Sequence, residues 1–253
     1  MGKVSQTSTS PTALRVFFAL ILPLLGSILF SAIVVALTDI PEDAQRETAV
    51  QLAGAGLVAW FLGLNWYRLP GMGLRGHRPL YAGIGFAVLG WLAFFIVRFA
   101  TVAGEIVNAP NAGRTFIYLL LFEAFCTQLW AFGLFFRAVA DWRGPLTAAI
   151  TSGILFGTVA FLLFEESFAN PTLPAFIYFA MWGILYGIIR LRTGSLLGMV
   201  IVQALHSWTA WQLLALVNQP APSQLGNLYL ITTILYLIII WRLWPKKEED
   251  YRV

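Results

Sequence analysis

Charged residues are scarce in this sequence: Asp, Glu, Lys and Arg make up only 11% of its 253 residues, whereas 59% are hydrophobic. Soluble domains carry roughly 25% charged residues, so a globule of this composition would have too little polar surface to be solvated. The composition therefore excludes an ordinary soluble domain and indicates a protein built for lipid. The net charge of +4 does not come from a basic patch, and nothing points to nucleic acid.

Cysteine and histidine are also rare. The single cysteine, Cys126, lies in an apolar segment, so a disulfide framework is excluded and a small buried side chain is expected. The two histidines are His77 and His206. Because a catalytic zinc usually needs three protein ligands, commonly His and Glu, we expect neither a metal nor another cofactor.

Long hydrophobic runs are what the sequence has in abundance. A membrane-spanning helix needs about 20 apolar residues. Runs of about that length fall at 14–38, 48–66, 80–103, 115–138, 145–164, 172–190, 195–218 and 225–244. Proline and glycine mark the breaks between them, as expected for residues that end helices. The prediction is an all-α, polytopic bundle of about eight transmembrane helices.

The basic residues sort the breaks into two alternating classes. Thirteen of them fall in one class, and three fall in the other, namely Arg46, Arg98 and Arg114. By the positive-inside rule this alternation predicts that both termini are cytoplasmic (N-in/C-in). The expected organisation is a disordered tail at 1–13, helices one to three at 14–111, a core of helices four to seven at 112–218, and a last helix with a charged tail at 219–253. We expect a multi-pass protein of a bacterial plasma membrane.

Small residues recur at four-residue spacing in two of the predicted helices. Gly153 and Gly157 lie on the fifth, and Gly183 and Gly187 lie on the sixth. Such pairs let helix backbones approach closely in membranes. They predict that these two helices are central, although the high glycine frequency of membrane helices is an alternative explanation.

Polar side chains within the spans are candidate functional residues, because ionisable groups are costly in hydrocarbon. Glu123 and Gln128 lie on the fourth helix, and Gln203 and His206 lie on the seventh. Thr127 is one turn from Glu123 and Ser207 is one turn from Gln203, so each pair shares a face. The pattern predicts a polar cluster between helices four and seven, which either fixes helix packing or serves a site with His206 as a metal ligand. The pair Glu165–Glu166 is interpreted as a solvated loop pair or, alternatively, as acid/base carboxylates.

Several short stretches resemble the CPBP family of intramembrane proteases, which includes CAAX prenyl protease 2-like and bacteriocin-processing members. The resemblance lies in residues 127–207 and, with a short element before them, covers about half the chain. The stretches that carry it are the turn Leu191-Arg192-Thr193-Gly194-Ser195-Leu196, the segment Gly133-Leu134-Phe135-Phe136-Arg137 with Gly144-Pro145 and Leu155-Phe156-Gly157, and Gly73-Leu74-Arg75. The resemblance implies a helical core that holds three catalytic motifs around a metal.

The catalytic residues of that family do not carry over to this sequence. Its first motif, two adjacent glutamates and an arginine, falls at Thr127, Gln128 and Phe132. Its second motif, a phenylalanine and a histidine, falls at Phe156 and Ala160. Its third motif, a histidine followed by Asn or Asp, falls at Gln203 and Ser207. The retained scaffold predicts that Thr127, Gln128, Ala160, Gln203 and Ser207 still converge on one pocket.

These substitutions predict that hydrolysis is lost, because they remove the general base and the imidazole ligands. We expect a catalytically inactive protein that acts by binding, as a scaffold, chaperone-like assembly factor or accessory subunit of a membrane complex. Its expected partners are membrane lipids and other integral membrane proteins. The alternative is an active endopeptidase with a displaced site that uses Glu123 as base and His206 as ligand. A small transporter would show inverted repeats, and no internal repeat is visible.

Overall fold

The computed structural model describes residues 12–37, 44–74, 79–102, 104–106, 111–163, 172–209, 214–216 and 220–252. Within them, eight helices coincide with the eight predicted spans. They are α1 (Thr12–Leu37), α2 (Ala44–Trp66), α3 (Pro79–Thr101), α4 (Ala112–Arg143), α5 (Pro145–Leu163), α6 (Leu173–Thr193), α7 (Leu197–Trp208) and α8 (Pro222–Leu243). Single turns follow α2, at Arg68–Gly71, and α8, at Glu248–Asp250. The predicted polytopic helical bundle is confirmed.

The helix ends follow from local chemistry. Prolines are the first residues of α5 and α8. Proline is favoured at this position because the backbone N–H that it lacks would have no hydrogen-bond acceptor within the helix. The Thr172 side chain accepts a hydrogen bond from the backbone N–H of Ala175 at the start of α6. At the other end Gly194, with φ of 71°, donates its N–H to the Arg190 carbonyl and ends the helix.

Six of these helices are long and apolar enough to cross a membrane, namely α1, α3, α4, α5, α6 and α8. The other two are α2, which is less hydrophobic than α1 or α3, and α7, which has 12 residues. A helix of that length is only about 18 Å long, short of the ~30 Å hydrocarbon core.

The largest error in the predicted span boundaries is at the end of α7. That helix ends at Trp208 rather than at 218, whereas α4 continues to Arg143 rather than 138 and α3 ends at Thr101, within two residues of the predicted 103. Two short strands follow α3 and α7, β1 (Gly104–Ile106) and β2 (Leu214–Leu216), which pair antiparallel with Glu105 opposite Ala215. The sequence stays apolar past Trp208, and hydropathy alone does not distinguish a short apolar strand from a helix.

Six helices form a closed ring in the order α4, α5, α6, α8, α3 and α7, and α7 returns to α4. The helices α1 and α2 pack together against the outer side of α4. The predicted core of helices four to seven is therefore incomplete: α3 packs against α6, α7 and α8 and belongs to the same core. The aromatic side chains of α3 and α6 fill much of the ring's interior.

The predicted close approach of α5 and α6 is confirmed. An added Cβ at Gly153 would lie 2.6 Å from the backbone nitrogen of Ile184. At Gly183 it would collide with the Gly153 carbonyl, and at Gly187 with that of Ala149. Only glycine permits this backbone-to-backbone contact, which makes α5 and α6 one rigid pair.

The chain after α8 returns to the end of α6. The backbone N–H of Arg252 donates to the Leu191 carbonyl at 2.9 Å, and Arg192 forms an ion pair with Asp250 at 2.5 Å. The Asp250 carboxylate also accepts the backbone N–H groups of Lys246 and Lys247. These last residues, Lys246–Arg252, are named the C-terminal segment below.

Candidate functional site

The fourth helix widens in two π-helical stretches, Leu119–Phe125 and Leu129–Phe135. Such turns add a residue per turn and shift side chains around the helix, and they occur frequently at functional sites. They flank Cys126–Gln128, where Thr127 and Gln128 are buried. Thr127 donates its hydroxyl to the carbonyl of Glu123 at 2.6 Å, so its polar group is satisfied on its own helix.

The polar contact between α4 and α7 is direct. The Gln128 Nε2 atom donates to the Gln203 Oε1 atom at 2.8 Å, and both side chains are buried. One turn further along each helix, the Ser207 hydroxyl donates to the Glu123 carboxylate. The Gln203 side chain also lies close to that carboxylate. Glu123, Thr127, Gln128, Gln203 and Ser207 therefore form the predicted cluster, named the polar cluster below.

The two positions on α5 lie in an aromatic core rather than in the polar cluster. The Phe156 ring packs against Phe132 of α4, with centroids 5.7 Å apart, and against Trp182 of α6 at 5.2 Å. Ala160 is buried one turn further along α5. The structure thus brings together Thr127, Gln128, Gln203 and Ser207, whereas Ala160 contributes a methyl group to the apolar wall.

His206 faces away from the polar cluster. Its ring contacts the rings of Phe94 and Trp182 edge to face, at 4.1 and 4.2 Å between centroids. Neither ring nitrogen has a hydrogen-bond partner among the described residues. The neighbouring residue on α7, Ser207, contacts Glu123 instead. The two candidate residues of the displaced site, Glu123 and His206, therefore lie on different sides of α7.

The donor set of this region does not fit a divalent metal. The polar cluster offers amides, hydroxyls and a single carboxylate, whereas zinc and the harder divalent ions need several anionic or imidazole ligands. In the described ranges no group of three His, Cys, Asp or Glu side chains is close enough to hold a metal ion. His77 and the Glu165–Glu166 pair lie outside the described residues.

Cys126 lies beside the polar cluster but faces another direction. It is buried against the backbone of Gly56 on α2, and its thiol contacts the Leu121 carbonyl at 3.3 Å. This confirms the predicted buried, apolar role. The contact also explains why α2 needs a glycine at that position.

Sequence reasoning missed the most deeply buried cation of the described residues, Arg190 on α6. Its guanidinium donates to the carbonyls of Phe132 at 3.1 Å, Gly71 at 3.4 Å and Arg252 at 3.5 Å, and lies over the Phe136 ring at 4.9 Å. The Phe132 carbonyl that accepts from Arg190 lies in the second π-helical stretch of α4. Arg190 ends the predicted span at 172–190 and lies in the last turn of α6, where a basic residue is expected on the grounds of topology alone, so the sequence offers no signal of its burial.

Comparison with known proteins agrees with this geometry. Residues 110–209 match the family model described as type II CAAX prenyl endopeptidase Rce1-like. The match covers α4 to α7 and therefore contains every residue of the polar cluster and His206. The resemblance to the CAAX prenyl endopeptidases is confirmed over that segment. No curated protein matches the chain.

Proposed function

We propose that this multi-pass membrane protein, whose residues 110–209 belong to the Rce1-like family of type II CAAX prenyl endopeptidases, is catalytically inactive and acts by binding. Its role is that of a scaffold, an assembly factor or an accessory subunit of a membrane protein complex. The hydrogen bond between Gln128 and Gln203 carries the proposal. Those two positions are where the resemblance implies a catalytic glutamate and a histidine.

Amides at both positions favour a structural role because they bond each other directly across the contact between α4 and α7. A glutamine has no basic atom to activate water and is a poor ligand for zinc. Phe132 stands where the family has an arginine, and its ring packs against Phe156. The loss of that cation is consistent with the loss of its carboxylate partners, since an unpaired buried charge is strongly destabilising.

Large apolar side chains are exposed on the surface of the bundle, where lipids or protein partners can pack against them. Exposed examples are Phe17, Phe61, Phe99 and Trp241. We propose membrane lipids and other integral membrane proteins as partners and assign no role with nucleic acid. In the same proposal both termini are cytoplasmic, which the arrangement of basic residues supports, and the membrane is a bacterial plasma membrane.

A displaced-site endopeptidase is the second candidate, because Glu123 retains a carboxylate beside the family's motif positions. That mechanism needs the Glu123 carboxylate and the His206 imidazole to act on one water or metal. The geometry supports it less well, since His206 is enclosed by Phe94 and Trp182 while Glu123 bonds Ser207.

Isosteric variants separate the two candidates. Glu123→Gln keeps the hydrogen bonds of the cluster but removes a base, and His206→Phe fills the ring space but removes a ligand. The binding proposal predicts that both variants fold as wild type, and that wild type and variants alike leave a prenylated CAAX peptide uncleaved in proteoliposomes. Cleavage by wild type that disappears in both folded variants would favour the endopeptidase.

Partner capture tests the binding role itself. Affinity-tagged protein solubilised in mild detergent should co-purify one or more integral membrane proteins at a fixed ratio. Glu123→Gln should retain them, because the bundle is unchanged, whereas Gly183→Ala should lose them, because it separates α5 from α6. A chain that runs alone, without a stoichiometric protein partner in either form, would contradict the proposal.

A further inference from the structure

A second polar region lies away from the polar cluster, where α1 begins and α2 and α4 end. A cavity of about 460 Å³ opens there, lined by Arg15, Trp66, Tyr67, Pro70, Arg137 and Asp141 among other residues. This end of the bundle carries most of the basic residues of the chain. We propose that the cavity binds the phosphate group of an anionic phospholipid.

The charges of the cavity favour a monovalent anion. Arg137 forms an ion pair with Asp141 one turn along α4, at 3.1 Å, so one guanidinium is compensated within the cavity. Arg15 contributes a second positive charge from α1. The charged groups of Arg15, Arg137 and Asp141 are all close enough to the Tyr67 hydroxyl to interact with it electrostatically. The lining residues therefore carry one net positive charge, which matches a phosphodiester with its single negative charge.

The donors also suit phosphate in geometry. Arginine presents several N–H groups in a planar fork that can bond two phosphate oxygens at once, and the Tyr67 hydroxyl adds another donor. Both the Arg137 and Asp141 side chains remain about 30% exposed, which leaves them accessible to a ligand. Basic pockets between transmembrane helices are known to bind anionic headgroups by this chemistry.

The apolar surroundings favour a lipid over a soluble phosphate. Phe18 lies one turn deeper than Arg15 on the same face of α1, and Leu14 and Phe17 beside it are 43% and 55% exposed. An acyl chain that hangs from a phosphate bound at Arg15 would lie along these side chains. Trp66, at the rim, is of the residue type that prefers the level of the headgroups. The site deepens the proposed binding of membrane lipids, but it shares no residue with the polar cluster, so its test can fail without contradicting the proposed loss of catalysis.

Native mass spectrometry of the delipidated full-length protein would test the site. The probes are phosphatidylglycerol and phosphatidylcholine with the same acyl chains, together with inorganic phosphate. We expect one tightly retained phosphatidylglycerol per chain and weaker retention of phosphatidylcholine. Removal of one arginine near an anionic lipid corresponds to about a fivefold loss, so the variant R15Q/R137Q should bind about 25-fold more weakly.

Two further variants keep the test decisive. Arg143→Gln is the matched control, since Arg143 lies at the same end of α4 but covers the Trp142 ring at 4.4 Å instead of lining the cavity. It should bind as wild type. Asp141→Asn should bind phosphatidylglycerol more tightly, because it releases Arg137, and a misfolded protein would not show such a gain.

Three results would overturn the proposal. Equal retention of both lipids would show that the charge of the headgroup does not determine binding. Equal losses of affinity in R15Q/R137Q and Arg143→Gln would show that the lipid does not bind in this cavity. Inorganic phosphate at millimolar concentration that displaces all bound phosphatidylglycerol would show that the cavity takes free phosphate and would contradict the lipid assignment.

Discussion

At the scale of single residues, the polar cluster shows how a bundle tolerates amides in its interior. The Gln128 amide donates to the Gln203 side-chain carbonyl oxygen at 2.8 Å, and the Ser207 hydroxyl donates to Glu123 one turn away, whereas the Gln128 Oε1 atom has no partner among the described residues. A buried polar group without a partner is costly, so each member depends on the others. The cluster therefore acts as a coupled unit that fixes how α4 meets α7.

A double-mutant cycle on Gln128→Leu and Gln203→Leu measures that dependence. Each single change removes the bond between the two amides and leaves one buried amide without that partner, whereas the double change replaces both amides by apolar groups. We expect a coupling free energy of about 0.6 kcal/mol, the average for such contacts in a membrane protein, with roughly 1.7 kcal/mol as the upper bound. The free energies of unfolding of the wild type, the two single variants and the double variant, measured in bicelles, give the coupling free energy. Strict additivity would contradict a direct bond.

Removing the buried guanidinium tests the residue that the sequence did not reveal. Arg190→Met should destabilise the protein by about 1 to 3 kcal/mol, because carbonyls that Arg190 now binds would be left without a donor. The matched control is Arg192→Gln, which removes an exposed ion pair worth only about 0.2 to 1 kcal/mol. Thermal unfolding of the two variants compares them, and an equal loss of stability in both would contradict the assigned role of Arg190.

The residues of the site could be predicted to different extents. The polar cluster was predictable because Glu123 with Thr127, and Gln203 with Ser207, share helix faces, and because family motif positions coincide with them. The orientation of His206 was not, since its neighbours Phe94 and Trp182 come from α3 and α6, far away in the sequence. Arg190 was missed because its partners are backbone carbonyls, which leave no trace in residue identity.

At the scale of elements, glycines decide how close the helices come. A methyl group at Gly183 would collide with the Gly153 carbonyl, so Gly183→Ala should destabilise the bundle by about 1 to 3 kcal/mol. Gly85 on α3 is the control, because a Cβ there meets no atom within 4 Å. Gly85→Ala should be neutral or stabilising by up to about 1 kcal/mol, since alanine is the better helix former. Equal effects of both changes on thermal unfolding would contradict the contact.

The C-terminal segment is held by an aspartate and should respond to acid. The backbone N–H groups of Lys246 and Lys247 and the Arg192 guanidinium favour the carboxylate of Asp250 and lower its pKa. Because the pKa is lower in the folded protein, the contribution of Asp250 is complete above its unfolded pKa of about 4 and is lost as the pH falls through the folded value. The protection of the Lys246 and Lys247 amides against hydrogen exchange, relative to unstructured amides at the same pH, should therefore decrease in acid.

Asp250→Asn serves as the control for that experiment. It removes the titrating group, so the two amides should exchange faster than in wild type already at pH 7 and show no further change beyond the intrinsic effect of pH. Protection in wild type that persists unchanged at pH 2 would contradict the role of Asp250.

The elements themselves were largely predictable, because apolar runs of about 20 residues have few alternatives to a helix in lipid. The α7 boundary was not. The apolar residues after Trp208 include a strand paired with Gly104–Ile106, and that pairing depends on a segment more than a hundred residues away. The ring order was equally inaccessible, since α3 and α7 are neighbours in space but not in sequence.

At the scale of the whole molecule, the orientation in the membrane is a prediction from the basic residues alone. The sequence predicts that positions 75 and 110 lie on opposite sides, with position 75 in the cytoplasm. Arg75→Cys and Pro110→Cys, each in a Cys126→Ser background, should react with a membrane-impermeant maleimide from opposite sides of sealed vesicles. Labelling of both from one side would contradict the topology.

The central claim is that the fold of an endopeptidase family has been kept here while its metal chemistry has been lost. Elemental analysis of the purified, chelator-free protein tests this most directly. The account predicts no stoichiometric zinc or other transition metal, because the polar cluster supplies one carboxylate and no imidazole. One tightly held metal per chain, lost together with peptide cleavage in Glu123→Ala or His206→Ala, would contradict it.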